Sequence, residues 1–265
     1  MAPSENEDLG TDDPAAPQAS EVPEPSAPPV ASPPVTLARE RSWRELAVEV
    51  GVVFSVTVLG SLVASISDLV WPQPSVALHP LASSLNRFFH AVPRIILVLY
   101  VIQRSGEPWS RFGLVRPRLW RDGALWLLTG LASFAQAPHV ARLCGLLGIQ
   151  HHRSAATPWP ELLHPPAGVF EISMIAIGIC ASAFSEELVF RAYLIPRLAS
   201  LTRSSVSGLL LSSLLFGFLH LYQSTEGMIS TGLSGLLWGL VFCLTRRIWP
   251  IFLAHAVGNL WINFH

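Results

Sequence analysis

Charge is what this sequence lacks most. Only 13% of its 265 residues are charged, against about a quarter in an ordinary soluble domain, and long apolar stretches separate them. Lysine is absent altogether, so all 17 basic residues are arginines. A net charge of −1 offers no basic field for a nucleic-acid partner, and none is expected. Cysteine is scarce as well. Cys144, Cys180 and Cys243 lie in apolar segments at no metal-like spacing. That pattern excludes a disulfide framework or a cysteine zinc site and leaves them as small core residues.

The first forty residues have few large apolar side chains instead. From Met1 to about Pro34 the chain is rich in Pro, Ala, Ser and Glu, with acidic residues such as Glu5, Asp12 and Glu24 and no basic one. Such a segment cannot offset the entropy cost of folding. Without a basic start and an apolar run it does not read as a signal peptide. The expectation is a disordered cytoplasmic tail over 1–40 and a membrane-embedded domain over 41–265.

What the sequence does have is apolar length, with 51% hydrophobic residues. One bilayer crossing takes roughly 20 apolar helical residues. Segments at about 46–67, 82–103, 123–148, 167–197, 205–222, 227–245 and 248–264 come close. The second contains Arg87, His90, Pro93 and Arg94, and the fourth is too long for one straight crossing. The predicted fold class is all-α, a multi-pass transmembrane helical bundle of about seven spans.

Orientation follows from the arginines. Arg39, Arg41 and Arg44 precede the first span; Arg104, Arg111, Arg116, Arg118 and Arg121 lie between the second and third. Arg197 and Arg203 follow the fourth, and Arg246 and Arg247 the sixth. Such alternation puts these loops on the cytoplasmic side, with the tail inside and His265 outside. The opposite loops hold Arg153, with Arg87 and Arg142 near span ends. The stretch Trp109 to Trp120 alternates aromatic residues with arginine, as an interfacial segment would.

An ionisable side chain within a span costs about 2.5–3.5 kcal/mol on insertion scales, so each one needs a partner or a function. Glu171, Glu186, Glu187, Arg191, His220 and His255 all qualify. Glu187 and Arg191 are four apart, face each other on a helix and read as a structural ion pair. Glu186 then points some 100° away, with no charged partner at helical spacing, and has the chemistry of a general base. Phe216 and His220 share one face of the fifth span, and His255 and Asn259 one face of the seventh. Counted from the cytoplasmic ends at 1.5 Å per residue, Glu186 lies roughly 16 Å deep, His220 roughly 22 Å, and His255 and Asn259 roughly 10–16 Å. These depths allow the residues to meet.

Glu-Glu-x-x-x-Arg, Phe-x-x-x-His and His-x-x-x-Asn, in that order on successive C-terminal helices, resemble the CPBP family of intramembrane proteases. That family includes the type II CAAX prenyl endopeptidases and Abi-type bacteriocin-immunity relatives. The resemblance covers about 105–265, with the specific motifs within 186–259. It implies an intramembrane endopeptidase, commonly labelled a metalloprotease, acting on a membrane-associated protein or peptide within the bilayer, here expected to be the bacterial cytoplasmic membrane. Carried over by residue, it implies that Glu186 and His220 activate water, that His255 and Asn259 polarise the scissile carbonyl and hold its oxyanion, and that Glu187 with Arg191 braces the helix. Glu186, His220 and His255 would serve as zinc ligands if a metal takes part, although a Glu–His pair can activate water alone. The signature His-Glu-x-x-His is absent.

Two other readings stand beside it. Gly232-Leu-Ser234-Gly235 has the form of a rhomboid serine-protease motif, with His255 as its histidine. Rhomboids, however, place an extra span between the two, and Gly235 and Gly239 read more simply as a packing face between helices. A transporter or non-catalytic adaptor would also place His, Glu and Arg in mid-membrane, but no internal repeat of the transporter kind is present.

Overall fold

A computed structural model describes residues 41–70, 80–149 and 168–264. The expected tail over 1–40, Arg153 and His265 lie outside the described residues. Those described form helices and connecting turns, with no strand among them.

Seven helical bodies occupy the seven expected places. The first joins α1 (Trp43–Phe54) through a π-helical turn at Ser55–Leu59 to α2 (Gly60–Val70). Ser42 caps it, accepting from the Glu45 backbone N–H while the Glu45 carboxylate returns the bond. Helix α3 (Pro80–Ser105) follows, then a 3-10 turn at Trp109–Phe112 and α4 (Leu119–Leu146). The fourth body runs without a break through α5 (Val169–Glu187), a π segment at Leu188–Leu194 and α6 (Ile195–Thr202). Helices α7 (Ser205–Phe218), α8 (Thr225–Thr245) and α9 (Trp249–Phe264) complete the bundle.

Five of these bodies are long and apolar enough to cross a membrane: Trp43–Ser67, Leu81–Ser105, Val169–Thr202, Ser205–Gln223 and Thr225–Thr245. The chain is an integral membrane protein. The other two expected crossings fall short for separate reasons. Helix α4 has 28 residues, but Asp122, Gln136, His139 and Arg142 dilute its apolar face. Helix α9 has 16 residues, about 24 Å against a hydrocarbon core of about 30 Å.

The outer surface is apolar, as a lipid-facing surface must be. Leu128, Phe134, Leu214 and Trp261 are all more than half exposed. The core gathers around the π segment Leu188–Leu194, every residue of which is buried. Widening a helix to π geometry loosens its hydrogen-bond ladder, and the Phe190 carbonyl accepts from Ser212 Oγ on α7 at 2.7 Å. Close helix crossings depend on glycine. A Cβ on Gly178 would sit 2.4 Å from the Ser84 carbonyl oxygen of α3, and one on Gly239 would sit 2.4 Å from Leu209 Cδ1 of α7. Gly239 therefore lies on a small-residue packing face, as its spacing from Gly235 suggested.

The arginine-bearing turns gather at one end of the bundle. Trp43 Nε1 donates to the Leu201 carbonyl, and Arg111 reaches Ser200 Oγ at 3.1 Å. Buried Arg197 pairs with Glu49 at 2.9 Å and also with Glu107. Arg247 forks onto Asp122, with Nη2 on Oδ2 at 2.7 Å. The Trp109–Trp120 stretch is more than a surface strap. Phe112 is fully buried, and the carbonyls of Gly113, Val115 and Arg116 accept from Ile248 N–H, Trp249 Nε1 and Arg247 Nη2. It clamps the turn that launches α9 and so fixes where His255 points.

Candidate active site

Glu186 and Glu187 close α5 immediately before the π segment. Glu187 is fully buried and holds two partners on one oxygen: Arg191 Nη1 at 3.0 Å and His255 Nδ1 at 2.7 Å. The expected Glu187–Arg191 pair is present, but the carboxylate has a second task in orienting a histidine from α9. A carboxylate oxygen accepts, so Nδ1 of His255 carries the proton. Nε2 then faces Glu186, whose Oε2 lies 3.8 Å away. Arg191 is itself packed under aromatic rings, its guanidinium carbon 4.1 Å from the Phe216 centroid and 5.2 Å from that of Trp238.

His220 lies just beyond α7 rather than within it. The helix ends at Phe218, and a 3-10 turn at Leu221–Gln223 follows. The expected Phe216–His220 contact still forms, with ring centroids 4.8 Å apart. His220 Nδ1 bonds the Phe216 carbonyl at 2.8 Å. A carbonyl only accepts, so that nitrogen is the donor and Nε2 keeps its lone pair. Glu186 and His220 line one cavity of about 140 Å³, together with Thr57, Ser61, Arg94 and Tyr222. Glu186 is the more open of the two acids, its side chain 23% exposed against 0% for Glu187. It accepts from Ser182 Oγ at 3.1 Å.

The motif residues are not all drawn in equally. Asn259 sits one turn beyond His255 and is half-buried, and its side-chain amide has no hydrogen-bond partner among the described residues. Glu171 stands in the first turn of α5, roughly 22 Å along the helix from Glu186, and takes no place in the cluster. Ser234 Oγ accepts from Gln136 Nε2 of α4, while the Nδ1 of His255 is engaged by Glu187. A serine–histidine pair of the rhomboid kind is not formed. Among the described residues no group of three His, Cys, Asp or Glu side chains is arranged to hold a metal ion.

Arg94 and Tyr222 are the site residues that sequence reasoning missed. Arg94 donates to Ser61 Oγ at 2.8 Å and shares the cavity with Glu186, so the carboxylate has a cationic neighbour from another helix. The available signal was the seven-residue spacing of Arg87 and Arg94, which puts both on one face of α3. Trp238 belongs here too, its ring 4.7 Å from that of His255 and its Nε1 held by Ser133 Oγ at 2.7 Å.

Residues 168–261 match the Rce1-like type II CAAX prenyl endopeptidase family. All three motifs, from Glu186 to Asn259, fall inside this Rce1-like region, as do α5 to α8 and most of α9. The family resemblance read from the motifs is borne out over that stretch, and it supports a protease. No curated protein and no solved structure matches the chain.

Proposed function

We propose that the protein is an intramembrane endopeptidase that hydrolyses a peptide bond of a membrane-associated protein or peptide. Its place is the cytoplasmic membrane of a bacterium, with the 1–40 tail on the cytoplasmic side. The observation that carries the reading is the shared cavity lined by Glu186 and by His220, whose Nδ1 is held by the Phe216 carbonyl so that Nε2 keeps its lone pair.

A water molecule there donates one hydrogen to the Glu186 carboxylate and the other to His220 Nε2, which leaves a lone pair for the scissile carbonyl carbon. As the C–O bond forms, Glu186 takes the proton and the carbonyl π electrons move to oxygen. His255 takes a second proton from solution at Nε2 before the cycle begins, keeps it throughout, and offers that Nε2–H to the oxyanion. The Glu187 carboxylate on Nδ1 stabilises the imidazolium, and Arg191 holds Glu187 in place. Asn259, one turn along α9, is the second donor. When the intermediate collapses, the C–N bond breaks and Glu186 returns its proton to the leaving nitrogen. A positioned base of this kind contributes about 10²–10⁴ in rate, and each oxyanion donor about 10²–10³.

The test is reconstitution of the purified protein with membrane-anchored peptides, comparing wild type with Glu186→Gln. Cleavage by the wild type alone supports the reading, and equal cleavage by both removes it.

A further inference from the structure

A second cavity, of about 660 Å³, opens at the arginine-rich end of the bundle, away from Glu186. Arg111, Arg203 and Arg246 line it together with Ser200, Ser204 and Ser205, and no acidic side chain does; the Ser200 hydroxyl already donates to the Pro196 carbonyl, which leaves Ser204 and Ser205 as the hydroxyl donors. The arginines at this end fall into two groups. Arg197 and Arg247 are buried and paired with carboxylates. Arg203 and Arg246 are exposed and have no carboxylate partner among the described residues. Arg111 is shared between Glu107 at 2.7 Å and Ser200.

The backbone adds an independent observation. Arg203 and Arg246 are the C-caps of α6 and α8, with φ of 56° and 52°. Glycine is the usual residue in this left-handed conformation, because a side chain there strains the backbone. Both positions instead carry arginine, and both arginines line the same cavity. Offsetting the helix dipole does not require this arrangement, since an arginine in the last helical turn would do so without strain.

We propose that this cavity binds a phosphate group. Guanidinium forks and serine hydroxyls are the donors that recognise phosphate oxygens. Two sources present that chemistry: the headgroup of an anionic phospholipid, and a soluble phosphate ester. Binding is independent of peptide cleavage, because no residue of the Glu186 cavity contributes to it.

The experiment uses the full-length protein in neutral detergent. It is titrated with phosphatidylglycerol, with phosphatidylcholine as the neutral lipid, and with glycerol 1-phosphate, and binding is read by native mass spectrometry and by the shift in melting temperature. Phosphatidylglycerol should bind in preference to phosphatidylcholine and raise the melting temperature by several degrees. The double change Arg203→Gly and Arg246→Gly should leave the lipid-free protein at least as stable, since glycine suits both backbones, and weaken binding roughly twenty-five-fold, at about fivefold per lost charge. Arg203→Gln with Arg246→Gln, which keeps a polar side chain at each position and removes only the charged fork, should show the same loss. Binding of phosphatidylglycerol alone assigns the site to a lipid headgroup, and equal binding of glycerol 1-phosphate assigns it to the phosphate itself. Unchanged affinity in both double variants, or no binding of either anion, overturns the proposal.

Discussion

His255 Nδ1 and Arg191 Nη1 meet on the same oxygen of Glu187, at 2.7 Å and 3.0 Å. The ion pair that joins the end of α5 to the π segment therefore also sets the rotation of a histidine on α9. Glu187 and Arg191 are 0% and 1% exposed, and removing one partner of so buried a pair typically costs about 3–5 kcal/mol because the other charge is stranded. Arg191→Ala should accordingly lower the amount of folded protein in membranes, measured by quantitative blotting and detergent-solubilised melting. Normal accumulation with activity alone lost would move Arg191 from bracing into the reaction.

Asp122 and Arg247 make the corresponding link at the arginine-rich end. The Arg247 hydrogen bond holds the Asp122 carboxyl below the usual carboxylate range, against the opposing effect of burial, and the Arg118 backbone N–H adds to it. A depressed folded-state pKa means stability that is fully present above the unfolded value of about 3.9 and is lost as pH falls through the folded value. Wild type should melt at a higher temperature than Asp122→Asn between about pH 6 and 8, and the two curves should converge below about pH 4. A gap that stays constant down to pH 3 would mean that the Asp122 charge is not what stabilises this end.

Seven helices and three polar pairs were legible because both signals are local. Apolar length marks a span, and Glu187–Arg191, Phe216–His220 and His255–Asn259 each lie four apart. Contacts between helices left no such trace. The Glu187–His255 bond joins residues 68 apart and the Asp122–Arg247 fork residues 125 apart, and no spacing rule reaches that far. Glu186 therefore read as lacking a charged neighbour, although Arg94 approaches it from α3. The π segment was hidden as well, because its sequence, Leu-Val-Phe-Arg-Ala-Tyr-Leu, is compatible with an ordinary helix. The same holds for the role of the Trp109–Trp120 stretch, where Phe112 is buried beneath the Arg197 guanidinium, 5.0 Å from its ring and 85 residues away in sequence.

The arginine-bearing turns meeting at one end of the bundle motivate a topology prediction: this end is cytoplasmic, with the C-terminus opposite. In a bacterial host, a reporter active only in the periplasm should work when fused after Phe264 and stay silent when fused after Arg121. The reverse result would invert the orientation.

The chemistry rests on Glu186, the partly open carboxylate that shares a cavity with His220. Glu186→Gln keeps the size of the side chain and its acceptor oxygen for Ser182 but removes the basic group. It should reduce cleavage by about 10²–10⁴ while expression and melting stay near wild type. His220→Ala should lose a similar amount, and the double variant little more, because two groups acting on one water do not lose activity additively. Ser234→Ala should remain active, since its hydroxyl is bonded to Gln136 and not to His255. Measuring the wild type with and without a strong chelator completes the set. Loss of activity that zinc restores would assign activation of the water to a metal rather than to the Glu186–His220 pair. Full cleavage by Glu186→Gln, or inactivity of a well-folded Ser234→Ala, would overturn the mechanism, because the first needs no base at this position and the second needs a nucleophile that the proposal does not use.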